Sequence, residues 1–249
     1  MMLATIMLLV LALIVGVLVG CVGIGGVLLP PALAYVGGLD LHLAMATSMW
    51  SFLFTGLVGT MAYSRRNSVD WRMVLWLGVG IVPAAMLGAL SNAALPTGVL
   101  TVLLATLISA TGINAFAKAP SAERAVHAFS RLLLLQIGVV VGFGSALTGT
   151  GGPVLLVPIL VFLRAPTLLA IGVSQVVQIP VAMFSTFGYV LFGQVDFYLG
   201  TTLGLIAAAG VMIGTSIAHA VPILTLRRIV AVSLIGAGIL ITVRAFATG

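Results

Sequence analysis

Two glycine-rich interruptions hold the residues best placed to do chemistry. They read Val22-Gly23-Ile24-Gly25-Gly26-Val27 and Thr148-Gly149-Thr150-Gly151-Gly152-Pro153, each inside a long apolar run. Consecutive glycines, with proline beside the second set, disfavour helix, so each run is expected to break there and restart as a short apolar helix. The first turn of such a helix has backbone N–H groups without intrahelical partners and carries the positive end of the helix dipole. Glycine lets an anion come close to those groups. The chemistry implied is therefore non-covalent: stripping water from a small anion and holding it on backbone donors. The candidate contacts are Gly23, Gly25, Gly26, Gly149, Thr150, Gly151 and Gly152. Glycines can instead serve only to bring helices close together. That simpler reading suffices for Gly16/Gly20 and Gly210/Gly214 but fits the breaks less well.

Polar side chains inside the apolar runs are few. Thr47, Ser48, Ser174, Gln175 and Gln178 lie near the start or middle of the segments that follow each break. Gln175 and Gln178 are three apart and share a helix face. They are candidates to donate hydrogen bonds to an oxyanion; the alternative is ordinary interhelical hydrogen bonding. Ser145, Thr148 and Thr150 belong to the second break and could line the same cavity. Cys21 reads as a small buried apolar group, and one cysteine excludes an internal disulfide and a multi-cysteine metal site. His42, His127 and His219 lie near helix ends or in a loop, with a proton-relay role open for His42 and His219. Trp50, Trp71, Trp76 and Tyr63 read as packing or interfacial aromatics. No Asp, Glu, Lys or Arg falls at mid-membrane, which disfavours a cation substrate and a carboxylate proton relay. If protons are coupled, a weak-acid anion can carry its own.

The elements that must position these residues are membrane helices. Of 249 residues, 62% are hydrophobic and 6% charged, against about 25% charged in a soluble domain. Apolar stretches of about 20 residues recur, as a bilayer-spanning helix requires, and the short alternating strands of an outer-membrane barrel are missing from the pattern. The net charge of +6 sits in loops and reads as topology signal and lipid contact, not nucleic-acid binding. The first twenty residues lack a basic n-region and are kept as mature structure.

The chain is a tandem duplication. Residues 126 positions apart match at the points that punctuate the helices: Gly25 and Gly151, Gly26 and Gly152, Ser48 and Ser174, Asp70 and Asp196, Gly78 and Gly204, Gly88 and Gly214, Pro96 and Pro222, Gly112 and Gly238. Repeat 1 covers 1–117, a polar cytoplasmic linker 118–131, and repeat 2 covers 132–249. Each repeat predicts a broken segment (3–36; 132–163) followed by three helices (42–63, 71–90, 97–116; 167–192, 197–219, 228–247). Asp70 and Asp196 are expected N-caps. Leu3–Gly20 and Val27–Val36 together would rise about 42 Å at 1.5 Å per residue, too long for one straight crossing of a core of about 30 Å. A re-entrant hairpin fits better and makes the repeats inverted. All basic residues except Arg244 then share one side, whereas a parallel four-plus-four arrangement moves Arg164, Arg227 and Arg228 to the other. The positive-inside rule favours inverted repeats. Discontinuous helices at matching places in two repeats are the best sequence pointer to a transporter's midplane site.

A longer pattern recurs with the breaks. It runs Gly-x-Gly-Gly, a short apolar stretch to proline, then Ala-x-x-x-Ser: Gly23 to Gly26, Pro31 and Ala44 to Ser48, and again Gly149 to Gly152, Pro158 and Ala170 to Ser174. With the Val-Asp-aromatic steps at Val69-Asp70-Trp71 and Val195-Asp196-Phe197, it resembles the TauE/SafE family of sulfite and organosulfonate exporters, from about residue 10 to 245. The resemblance implies a transporter of sulfur-containing or related small organic anions, in the inner (plasma) membrane, with no cofactor. The first copy is one residue short between Gly26 and Pro31, and Pro153 stands where another glycine is common, so unequal half-sites are expected. The leading expectation is a secondary transporter of sulfite, sulfonates or related acids, working by alternating access. A passive anion channel and a carrier of a small non-sulfur carboxylate are the alternatives. A membrane enzyme is disfavoured because no metal-ligand cluster or nucleophile–base pair is apparent. Self-association into a homo-oligomer is compatible with this reading.

Overall fold

The computed structural model describes residues 2–116, 129–193 and 195–220. The expected helix 228–247, His127 and most of the linker lie outside them. The described residues are helical throughout their regular elements: α1 (Met2–Val22), a 3-10 turn (Gly25–Leu28), α2 (Leu29–Tyr35), α3 (Leu41–Ser64), α4 (Trp71–Ala94), α5 (Thr97–Phe116), α6 (Arg131–Thr148), α7 (Pro153–Phe162), α8 (Thr167–Phe192) and α9 (Phe197–Ala220). Six of these, α1, α3, α4, α6, α8 and α9, contain stretches long and apolar enough to cross a membrane.

Each broken segment is a long helix followed by a short one. α1 has 21 residues and α6 has 18, whereas α2 has 7 and α7 has 10. At 1.5 Å per residue α1 alone rises about 31 Å, roughly one hydrocarbon core. The chain then folds back on itself, since a methyl added at Gly25 would lie 2.4 Å from Leu18 Cβ.

Short polar side chains start the helices by satisfying orphan N–H groups. Asp70 Oδ1 accepts from Arg72 N (2.9 Å) and Met73 N (3.1 Å), and Asp196 Oδ1 accepts from Leu199 N (2.9 Å), both as expected. Asp40 and Ser130 do the same for α3 and α6. Trp50 packs edge-on against Phe54 and Phe197, and its Nε1 donates to Thr201 Oγ1 at 2.8 Å. Cys21 is fully buried, its thiol donating to Gly214 O at 3.0 Å. His42 and His219 sit in the first turn of α3 and the last turn of α9.

The two halves of the chain are interlaced. α1 packs on α9 from the other half, and α4 packs on α6. Gly16 faces Ala207 and Gly20 faces Val211; Gly138 faces Leu77 and Gly142 faces Ile81. Residue numbers rise together in both pairs, so the partners run the same way. The contacts are also equivalent: moving Gly16 by 126 positions gives Gly142, and moving Ile81 gives Ala207. A methyl at Gly16 would lie 2.0 Å from Ala207 O, so only glycine allows the backbones to come this close. α3 and α8 cross at the centre in opposite senses, Gly56 facing Ile179 and Gly59 facing Gln175. This crossing holds the two breaks together.

Candidate functional site

Both long limbs end at a glycine in the left-handed region. Gly23 (φ 77°) follows α1, with its N–H on Val19 O at 3.0 Å; Gly149 (φ 68°) follows α6, with its N–H on Ser145 O. Gly151 (φ 78°) and Gly152 (φ 77°) then turn the chain into α7, where Pro153 takes a first-turn position whose N–H would have no partner anyway. The second break is thus a compact turn delivering a ten-residue helix. The first passes through a 3-10 turn into seven residues, a weaker dipole source.

An interrupted helix leaves carbonyls without partners, and one tyrosine per half supplies a donor. Tyr63 Oη donates to Gly20 O at 2.7 Å, and Tyr189 Oη, 126 positions later, donates to Ala146 O. Both phenols are buried, where an orphan carbonyl would cost about 1–3 kcal/mol. Each tyrosine therefore ties the end of a long helix, α1 or α6, to the long helix that follows the broken segment, α3 or α8.

The two breaks meet. A methyl at Gly26 would lie 3.0 Å from Thr150 O, and one at Gly23 would touch Pro153, Val157 and, at 3.5 Å, Ser174 Oγ. The ring of Phe52, on α3, lies between them: it is 2.5 Å (Cδ2) from a methyl added at Gly151 and 3.2 Å (Cζ) from one at Gly26.

The expected site residues are all buried, but they divide into groups. α8 serves both breaks. Ser174 abuts Gly23, and Gln175 Nε2 donates at 2.9 Å to Val19 O, the carbonyl that also receives Gly23 N. One turn on, Gln178 packs on Gly152 and its Nε2 donates to Phe52 O (3.0 Å) and Thr55 Oγ1 (2.6 Å). Thr150 Oγ1 pairs with Thr148 Oγ1 at 3.0 Å within the second break. Ser48 and Ser174 donate back to carbonyls of their own helices. Thr47 accepts from Asp196 N at 3.2 Å and packs on Gly200, which places it at the α3–α9 contact beside the cap of α9.

Hydrogen-bond accounting changes what the glutamines offer. Both hydrogens of the Gln178 amide are committed to protein acceptors, and one of Gln175's is. Their Oε1 atoms, together with Ser145 Oγ and Asn92 Oδ1, are buried without a partner. Buried polar atoms are nearly always paired, so these exceptions require a reason; Gln175 Oε1 itself lies against Gly59 of α3.

Phe52, Thr55 and Asn92 were not legible as site residues. Phe52 and Thr55 look like ordinary apolar-helix content. Asn92 fell beyond the predicted end of α4; its Nδ2 donates to Leu147 O at 2.8 Å, beside the second break. The 126-residue offset does pick out Tyr63 and Tyr189 and was the available signal for their shared role. Among the described residues no group of three or more His, Cys, Asp or Glu could hold a metal ion.

Comparison with known proteins bears on the whole chain. The family model described as "Sulfite exporter TauE/SafE" matches residues 7–241. The probable membrane transporter protein YdhB of Bacillus subtilis is 23% identical over 92% of this chain and 96% of its own length. The probable membrane transporter protein YjnA of the same organism is 27% identical over 82% of this chain and 87% of its own length. A probable membrane transporter protein of Xylella fastidiosa is 28% identical over 71% of this chain and 70% of its own length. No solved structure matches.

Proposed function

This chain belongs to the sulfite exporter TauE/SafE family and is a multi-pass membrane transporter; from that premise we propose that it carries small sulfur oxyanions, sulfite or simple sulfonates, by alternating access at the paired breaks. The observation that carries the reading is the set of buried, unpartnered oxygens, Ser145 Oγ, Gln175 Oε1 and Gln178 Oε1, on the residues that pack around the two breaks. Left empty, each costs about 1–3 kcal/mol. A ligand that hydrogen-bonds them recovers that cost and gains binding energy.

The donors and acceptors together specify the ligand further. Backbone N–H groups at the start of α7 suit the oxygens of an anion; the hydroxyl hydrogens of Thr148 and Thr150 are already spent, on Gly144 O and on Thr148 Oγ1. Oε1 of Gln175 and of Gln178 are acceptors and need a donor. A singly protonated oxyanion such as bisulfite has both, and brings its proton across without a buried carboxylate. A sulfonate, which does not protonate near neutrality, would leave the glutamine oxygens unsatisfied and bind more weakly.

In this reading the halves are inverted and the breaks are re-entrant at the midplane of the cell (inner) membrane. Two features support it. The α3–α8 crossing is antiparallel at Phe52 and Gln178, which are 126 positions apart, so a two-fold relating the halves lies across the helices and not along them. In addition, Gly25 folds back on α1.

The test is uptake and counterflow of labelled sulfite, sulfate and simple sulfonates in proteoliposomes. Saturable exchange that is faster for sulfite near pH 7 than for a sulfonate supports the proposal. Flux without saturation or counterflow would make the protein a channel. No flux with any sulfur oxyanion would move the cargo to another small anion, with carboxylates next in line.

A further inference from the structure

We propose that Phe52 is the gate between the two breaks, so that displacing its ring opens the path through the site. The inference rests on the transporter reading above and adds the moving part. The ring is fully buried and occupies the space where the breaks face each other. Glycine at both Gly26 and Gly151 is what admits it: a methyl would meet the ring at 3.2 Å from the first and 2.5 Å from the second. With the ring in this position, the gap that an anion must cross is filled by an apolar group that cannot solvate it.

The backbone beneath the ring is held while the side chain bears on two turns. Gln178 Nε2 donates to Phe52 O at 3.0 Å and to Thr55 Oγ1 at 2.6 Å, clamping α3 to α8 at the crossing point. A rotamer change at Phe52 therefore does not require α3 to move. Separating the halves does require large movement, because their contacts have no slack. Methyls at Gly16 and Gly138 would lie 2.0 Å and 2.3 Å from the backbone oxygens of Ala207 and Leu77, in the α1–α9 and α4–α6 interfaces. Packed backbones of this kind move as units, which leaves a side chain on the crossing as the softer element.

Accessibility labelling tests the gate without any substrate. Thr150→Cys is placed in a Cys21→Ser background, and its reaction with a small water-soluble methanethiosulfonate is timed in proteoliposomes. With Phe52 present the reaction is slow; Phe52→Ala speeds it about tenfold, as expected for opening a closed site, and Phe52→Trp does not. Equal rates in all three proteins overturn the proposal. The control is the native Cys21, buried at the α1–α9 contact, in an otherwise unmodified chain. If Phe52→Ala also exposes Cys21, the substitution has only loosened packing and the gate is again overturned. Should Phe52→Ala fail to fold, Phe52→Leu, which keeps an apolar side chain but removes the ring, is judged by the same comparison. Because the readout needs no anion, it stands apart from failure of the sulfur assignment, which shows as absent exchange in the wild-type protein.

Discussion

The two breaks share their glycines and differ in nearly everything polar. Gly23, Gly25 and Gly26 recur as Gly149, Gly151 and Gly152, and the supporting Tyr63 and Ser48 recur as Tyr189 and Ser174. At neighbouring positions, Val19, Val22 and Ile24 of the first half correspond to Ser145, Thr148 and Thr150 in the second. On the crossing helices Met49 and Phe52 correspond to Gln175 and Gln178. Of the unpartnered buried oxygens around the breaks, Ser145 Oγ and both glutamine Oε1 atoms also belong to the second half. Interrupting a helix in apolar surroundings is a backbone problem, and both halves place glycines at the same three positions, although only Gly23 of the first set is left-handed against all three of the second. Around the breaks the second half provides the polar side chains, Ser145, Thr148, Thr150, Gln175 and Gln178, while the first provides the aromatic ring of Phe52, and under the proposed function the second half would do most of the ligand recognition. The shorter α2, seven residues against ten in α7, tilts the dipole contribution the same way.

The largest effect should separate Gly151 from Gly25. Gly151 sits at φ 78°, where a β-branched residue is strained, and its new side chain would run into Phe52. Gly151→Val is expected to cut counterflow at least about a hundredfold. Gly25→Val meets Leu18 Cβ and Val15 O of α1 and should chiefly lower the thermal unfolding midpoint. Equal loss of transport and stability in both variants would erase the distinction between the halves.

An intermediate effect is expected at the crossing. Gln178→Met keeps the volume but removes the Phe52 and Thr55 hydrogen bonds and the free Oε1. Exchange of sulfite should fall about tenfold, with a smaller change for a non-protonating sulfonate. Met49→Leu, on the apolar crossing helix, should leave the sulfite-to-sulfonate ratio unchanged. A matching change of ratio in both would show that the first half also reads the ligand.

The smallest effect is expected where the halves are alike. Tyr63→Phe and Tyr189→Phe each expose one carbonyl at the end of a long limb. Each should lower stability by about 1 kcal/mol and to a similar degree, measured by denaturation in detergent. A much larger cost for Tyr189→Phe would extend the asymmetry from the breaks to the scaffold.

Much of the architecture was legible because membrane helices are governed by local rules. Apolar length marked the described helices to within a few residues; the expected 42–63 and 71–90 are Leu41–Ser64 and Trp71–Ala94. Asp70 and Asp196 announced their helices because a short acceptor before an apolar run has few other uses. Glycine doublets marked the breaks; in the second, Gly151 and Gly152 both take left-handed φ, which glycine alone adopts at low cost, whereas in the first Gly23 does so and the doublet opens a 3-10 turn. The recurrence at 126 positions pointed to matching places to look for a site, such as Tyr63 and Tyr189.

Tertiary structure decided what composition and spacing could not. Which helix of one half packs on which of the other depends on surfaces assembled from distant residues, and the interlacing of α1 with α9 and α4 with α6 has no local signature. Hydrogen-bond donors are likewise allocated only when the bundle closes: Gln175 and Gln178 look like donors to an anion, but the fold turns their amide nitrogens to Val19, Phe52 and Thr55 and leaves their oxygens free. Phe52 reads as one apolar residue among many until the two breaks converge on its ring. The sequence determines where the chain must bend and which positions can be polar; only the packed structure determines which of those groups remain unsatisfied, because satisfaction is a property of neighbours brought together from opposite halves of the chain.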